Sequence, residues 1–98
     1  MEKHIPHCKL PRLQALVGSG HVRATQTALA GAAALEMDYS AMLEIVMSLR
    51  PCDFYKSMTT HGNHRIWQDV YRHRCARGDV YLKLTVIDDV LIISFKEL

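Results

Sequence analysis

The sequence predicts an α+β domain: three N-terminal helices packed on a mainly antiparallel sheet built from two C-terminal hairpins. Three observations predict it. Before Pro51 the apolar residues recur with the period of an amphipathic helix, and after it they alternate with the period of a strand. Asp88-Asp89 separates two alternating runs, VYLKLTVI and VLIISFKE, at the place where a hairpin needs a tight turn. The polar stretch THGNH likewise separates the β-rich runs DFYKSMTT and RIWQDVYR.

In the helical half, LPRLQALV sets Leu10, Leu13, Leu16 and Val17 on one stripe. Pro11 is tolerated in the first turn, where a missing N–H costs no helical bond, and Gly18 and Gly20 supply the stop. A second helix starts near Thr25, whose hydroxyl suits an N-cap, and runs through Leu29, Ala32 and Ala33. The third follows Asp38, another N-cap type, with Met42, Leu43, Val46 and Leu49 facing inward. Pro51 ends it, because proline disfavours helical geometry in the preceding Arg50.

The β half yields cross-strand pairs. With Asp88-Asp89 as a two-residue loop, Val86–Leu91, Leu84–Ile93 and Leu82–Phe95 form an apolar wall. Thr85–Ile92, Lys83–Ser94 and Tyr81–Lys96 form the other face, so a phenol stands about 5 Å from a lysine at Cβ. Closing the first hairpin with Thr59 opposite Arg65 places Lys56 opposite Gln68, Met58 opposite Ile66, and Tyr55 opposite Asp69. Each hairpin thereby brings a lysine to a hydrogen-bonding partner. VLIISF is β-prone and poor in charge, so at a sheet edge it needs covering.

Ninety-eight residues suit a single domain over 1–98. A composition 49% hydrophobic and 22% charged is globular rather than disordered. The net charge of +2 does not by itself announce nucleic acid, but Arg65, Arg72, Arg74 and Arg77 gather beyond position 60, with His61, His64 and His73 among them. Cys8, Cys52 and Cys75 are an odd count without framework spacing, which suits a reducing cytosol. MEKHIPHCK lacks the apolar core of a signal peptide, and VLII is far too short to span a bilayer. The expectation is a soluble, cytoplasmic protein with no membrane segment. His4, His7 and Cys8 are metal-ligand types, but no fourth ligand follows at zinc-like spacing, and no metal or other cofactor is expected. Cys75 lacks a third orienting group and reads as a bystander thiol. Trp67 reads as packing beneath the helices.

The runs DFYKSMTT, IWQDVYR, VYLKLTVI and DVLIISFKE, covering most of positions 53–97, closely resemble the MqsR family of bacterial toxins. The helical half resembles it more loosely, in MEK, PH, the LV of the first helix and VRAT. The resemblance implies a RelE-like fold and a type II toxin that cleaves single-stranded mRNA without the ribosome, at GC-containing triplets such as GCU. It also implies a cognate antitoxin with a zinc-binding domain and a helix-turn-helix domain. The family's catalytic positions fall on Lys56, Gln68, Tyr81 and Lys96, and its RNA-binding positions on Tyr55, Met58 and Arg72. One departure stands at the hairpin tip, where a histidine of the family is Asp88, so no histidine role carries over there. His73 is a second local difference, at a place where a proline can stand.

Cleaving RNA without a metal needs a proton acceptor, a proton donor and positive charge near the phosphorane oxygens. The polar face carries no Asp/Glu cluster of the kind that holds Mg²⁺. Lysine and tyrosine both titrate near 10, so clustering of Lys56, Lys83, Lys96 and Arg72 is expected to lower a neighbouring lysine or Tyr81. On this reading Lys56 or Tyr81 handles the protons, Lys96 and Arg72 hold charge, and Gln68 orients substrate. Arg65, Arg74 and Arg77 read as phosphate-tracking or antitoxin-facing charges. The competing class is a non-catalytic or weakly catalytic module that binds RNA or an antitoxin with the basic sheet.

Overall fold

A computed structural model describes residues 1–76 and 78–98; Arg77 lies outside the described residues. The helices are α1 (Leu10–Gly18), α2 (Gln26–Ala34) and α3 (Tyr39–Ser48). A 3₁₀ turn at Pro51–Asp53 leads into β3 (Phe54–Thr59), β4 (Trp67–Cys75), β5 (Gly78–Ile87) and β6 (Asp89–Glu97). Two short strands that the alternation pattern does not reveal, β1 (Glu2–Lys3) and β2 (Val22–Ala24), complete a six-stranded sheet of order β1-β3-β4-β5-β6-β2. All pairings are antiparallel except β2 on β6. Among the described residues no helix is long and apolar enough to cross a membrane.

The helix ends follow from their caps. Thr25 Oγ1 accepts from Ala28 N–H at 3.0 Å, and Asp38 Oδ1 accepts from Ala41 N–H at 2.8 Å, satisfying donors that have no helical partner. The chain leaves α3 at Leu49, whose extended backbone precedes Arg50 and Pro51. On α2 the buried side chains are Ala28 and Ala32, with Leu29 against the core, while Ala33 is exposed. Buried Leu13, Val17, Met42 and Val46 meet Leu82, Leu84, Ile92 and Phe95 of the sheet in one core.

VLIISF does not form an open edge. β2 pairs with it at Val90, Leu91 and Ile92, and Thr25 donates its hydroxyl to the Ile93 carbonyl at 2.7 Å. On the opposite side β1 covers β3, pairing Glu2 with Met58 and Lys3 with Ser57. Both outer strands of the hairpins are therefore covered, as aggregation-prone edges require.

The predicted registers need two corrections. In the second hairpin Tyr81–Lys96, Leu82–Phe95 and Lys83–Ser94 pair as expected. An irregularity after Lys83 then shifts the remainder, giving Leu84–Ile92, Thr85–Leu91 and Val86–Val90. The tip is Asp88 alone, between paired Ile87 and Asp89, with a left-handed φ of 63° that Asp tolerates better than most residues. In the first hairpin the loop is longer than predicted, so Met58 faces Gln68 and Lys56 faces Val70. Lys56 and Gln68 are diagonal neighbours rather than directly opposed. A shift of two residues preserves the face of every side chain, and an irregularity at Tyr55 frees it from the ladder.

Candidate active site

Strand alternation divides the sheet into a helix-covered face and an open one. Met58, Gln68, Arg72, Tyr81, Lys83 and Lys96 share the open face with Lys56, following register from β3 through β6. Tyr81 is paired with Arg72 on one side and with Lys96 on the other. Val70 lies at the centre of this face yet is 0% exposed. Its register partners are Lys56 and Lys83, whose alkyl stems are long enough to cover it while their ammonium groups reach water. The four family-derived catalytic positions thus share one surface, as do the three binding positions.

The cations here are organised by aromatic rings. The Arg72 guanidinium lies 3.5 Å from the centroid of the Tyr55 ring, and Lys56 Nζ lies 5.3 Å from it. Lys96 Nζ lies 5.1 Å from the Tyr81 ring centroid. Each contact is attractive because the ring face carries the negative part of the quadrupole. Tyr55, left out of the ladder by the β3 irregularity, is 40% exposed.

One member of this surface is unanticipated. Glu2 Oε1 accepts from Lys56 Nζ at 2.6 Å. The hydrogen bond and charge of Glu2 raise the Lys56 ammonium above its ordinary value, and Lys56 in turn lowers the Glu2 carboxyl. This reverses the expectation that clustered cations lower Lys56: the nearest charge to it is negative, and proximity decides. Glu2 was legible only as part of MEK, because its contact with Lys56 spans 54 residues of chain.

Other predicted features resolve as structural. Trp67 is half-buried, but it packs under the N-terminal segment rather than the helices. His7 stacks on it at 5.7 Å between centroids, and Lys3 Nζ lies 4.0 Å above the ring. The N–H groups of His7 and Cys8 both donate to the buried Asp69 carboxylate, each at 3.0 Å. Burial, then the Asp69 charge, push the Cys8 thiol up, opposite to the shift a metal-binding thiolate needs. The Cys75 thiol donates to the Gly78 carbonyl at 2.9 Å. His73 lies on the covered face and bonds Asp53 through Nδ1 at 2.9 Å. Asp88 lines a cleft with His7, Cys8, Lys9, Arg12 and Val86, apart from the open-face cluster. Arg65 and Arg74 are exposed, Arg74 opposite Asp79 in the ladder.

Metal-ligand types do not converge: among the described residues there is no group of three or more His, Cys, Asp or Glu side chains able to hold an ion. What the surface offers is four ammonium or guanidinium groups, a phenol, an amide and exposed aromatic area on a rigid sheet. That set can bind a polyanion and move protons.

Known proteins match this chain over nearly its whole length. The family described as motility quorum-sensing regulator, toxin of MqsA, matches residues 5–97. Among curated proteins, the mRNA interferase toxin MqsR of Escherichia coli (strain K12) is 54% identical over 97 residues, 99% of either chain. On a match of this extent and identity, the chain belongs to the MqsR toxin family.

Proposed function

We propose that this chain is the toxin of a toxin–antitoxin pair and an endoribonuclease, an mRNA interferase cutting single-stranded mRNA in the cytoplasm. Its preferred sites are GC-containing triplets such as GCU, and it needs neither ribosome nor metal ion. The observation that carries this reading is the convergence of Lys56, Gln68, Arg72, Tyr81 and Lys96 on one open sheet face. The relative named an mRNA interferase supports it. The partner is a cognate antitoxin with zinc-binding and helix-turn-helix domains, in keeping with the family's description as a toxin of MqsA.

In the reaction the 2′-oxygen attacks the adjacent phosphorus and the bond from phosphorus to the 5′-oxygen breaks. A 2′,3′-cyclic phosphate and a 5′-hydroxyl result. Lys56, held as an ammonium by Glu2, is suited to donate a proton to the departing 5′-oxygen rather than to accept one. Tyr81 takes the proton-transfer role at the 2′-oxygen, across the ladder from Lys96 and beside Arg72. Lys96 and Arg72 are placed to hold the charge that develops on the phosphorane oxygens. Gln68, next to Met58, orients the substrate. Tyr55 and Met58 offer surface against which bases can stack, a contact worth about 1–3 kcal/mol per base on an aromatic ring.

The test is cleavage of single-stranded RNA with and without GCU, in EDTA and in its absence. Selective cutting that survives EDTA is expected, with large losses for Lys56→Ala and Tyr81→Phe. Binding without cutting would replace the nuclease by a binding module. Wild-type rates in both folded variants would overturn the site.

A further inference from the structure

The Glu2–Lys56 ion pair is built into the fold from several directions. β1 is two residues long, so its side chains must point to opposite faces. Lys3 goes to the covered face, over Trp67, where His7 stacks on the same ring. The backbone of His7 and Cys8 is fastened to Asp69, and the Met1 carbonyl accepts from Thr59 N–H at 2.9 Å. With the strand fixed in register by these contacts, Glu2 falls on the open face beside Lys56. The carboxylate is half exposed while the Lys56 side chain is only 20% exposed, so the lysine is the more confined partner.

We propose that Glu2 is a positioning residue of the cleavage site, fixing the Lys56 ammonium above the sheet in line with the departing 5′-oxygen. The inference rests on the endoribonuclease reading above. An ammonium has three donors; Glu2 takes one and leaves the others for the scissile phosphate. A flexible four-carbon stem would otherwise sample many rotamers, and fixing it converts a loose cation into an aligned acid.

The charges facing the pair come from every neighbouring element. The N-terminal segment contributes His4 and the Met1 amino group, and β3 contributes Tyr55. β4 contributes Arg72, which shares the Tyr55 ring with Lys56, and β5 contributes Tyr81, while Lys83 and Lys96 lie further across the same face. Among the described residues none of these groups hydrogen-bonds Lys56 directly, as Glu2 does. Neutralising Glu2 removes the hydrogen bond and the charge that raise Lys56, so its titration moves to lower pH.

The experiment uses the full chain as Glu2→Gln and Glu2→Asp, with Lys56→Ala for reference. It measures kcat and KM on a GCU-containing single strand, the Lys56 titration by NMR of its ε-carbon, and the melting temperature. For Glu2→Gln, kcat falls roughly 10- to 100-fold, KM stays level or drops as negative charge leaves the surface, and Lys56 titrates at lower pH. Melting is unchanged, since β1 is held by Lys3, His7 and Cys8, and Glu2→Asp lies between Glu2→Gln and wild type. If Glu2→Gln keeps the wild-type kcat and Lys56 titration while Lys56→Ala abolishes cutting, the proposal is overturned and the nuclease site stands. If Lys56→Ala also cuts at the wild-type rate, both fall.

Discussion

Gly31 rests directly on the backbone of Phe95: a Cβ at this position would stand 1.7 Å from the Phe95 carbonyl oxygen and 3.7 Å from Cα of Lys96. The helix that covers the core thus touches the strand that presents Lys96. Because the obstacle is backbone, no rotamer change relieves the clash. Gly31→Ala should destabilise the protein by about 1–3 kcal/mol through forced separation of α2 from β6, despite alanine's better helix propensity. Denaturant midpoints would measure it, and RNA cleavage should fall with the displacement of Lys96.

Arg72 and Tyr55 should separate by salt. Arg72→Ala removes the charge proposed to bind phosphate, so the slope of log affinity against log salt for single-stranded RNA should shrink by about 0.7. Tyr55→Ala removes a stacking ring, costing about 1–3 kcal/mol per base contacted with little change in slope. Fluorescence anisotropy across a salt series distinguishes them.

Asp53 and His73 give an acid-side signature. Burial works to raise the Asp53 carboxyl, but the Arg50 N–H bond and then the His73 ring outweigh it and hold the carboxyl below its ordinary value. A lowered folded-state value contributes stability that is complete above the unfolded carboxylate value, about 4, and is lost as pH falls through the folded one. Melting followed through this window should show the loss in wild type. In Asp53→Asn the protein should be less stable near neutrality and less sensitive to acid.

Two tyrosines should respond oppositely to loss of the hydroxyl. The Tyr71 side chain is fully buried, its hydroxyl has no hydrogen-bond partner among the described residues, and burial raises the phenol's pKa. Tyr71→Phe should leave cleavage intact and raise stability by about 1 kcal/mol, since an unpaired buried hydroxyl costs free energy. Tyr81→Phe should leave stability intact and lose cleavage. Paired melting and rate measurements test the contrast.

Much of the fold is legible because it is local. Thr25 and Asp38 announce their helices through the donors they cap, and the period change at Pro51 divides the chain where the structure does. Faces are legible within a strand, since alternation sets Tyr81 and Lys83 on one side, but the one-residue shift after Lys83 buries Ile92, expected on the polar face, in place of Ile93. Register is less so. The shift at Lys83 and the longer first loop moved pairings by one or two residues, and a turn length is not fixed by residue type when several loops fit.

The sequence by itself determined the three helices, the two hairpins, the alternation that sets Tyr81 and Lys83 on one side, and the resemblance that singles out Lys56, Gln68, Tyr81 and Lys96. Only the tertiary structure decided that Glu2 joins them, that β2 covers VLIISF, and that Trp67 lies under the N-terminal segment. Periodicity reports what a residue's own strand or helix needs. These three relations instead join residues dozens of positions apart, and their partners are chosen by which segments the closed core brings together.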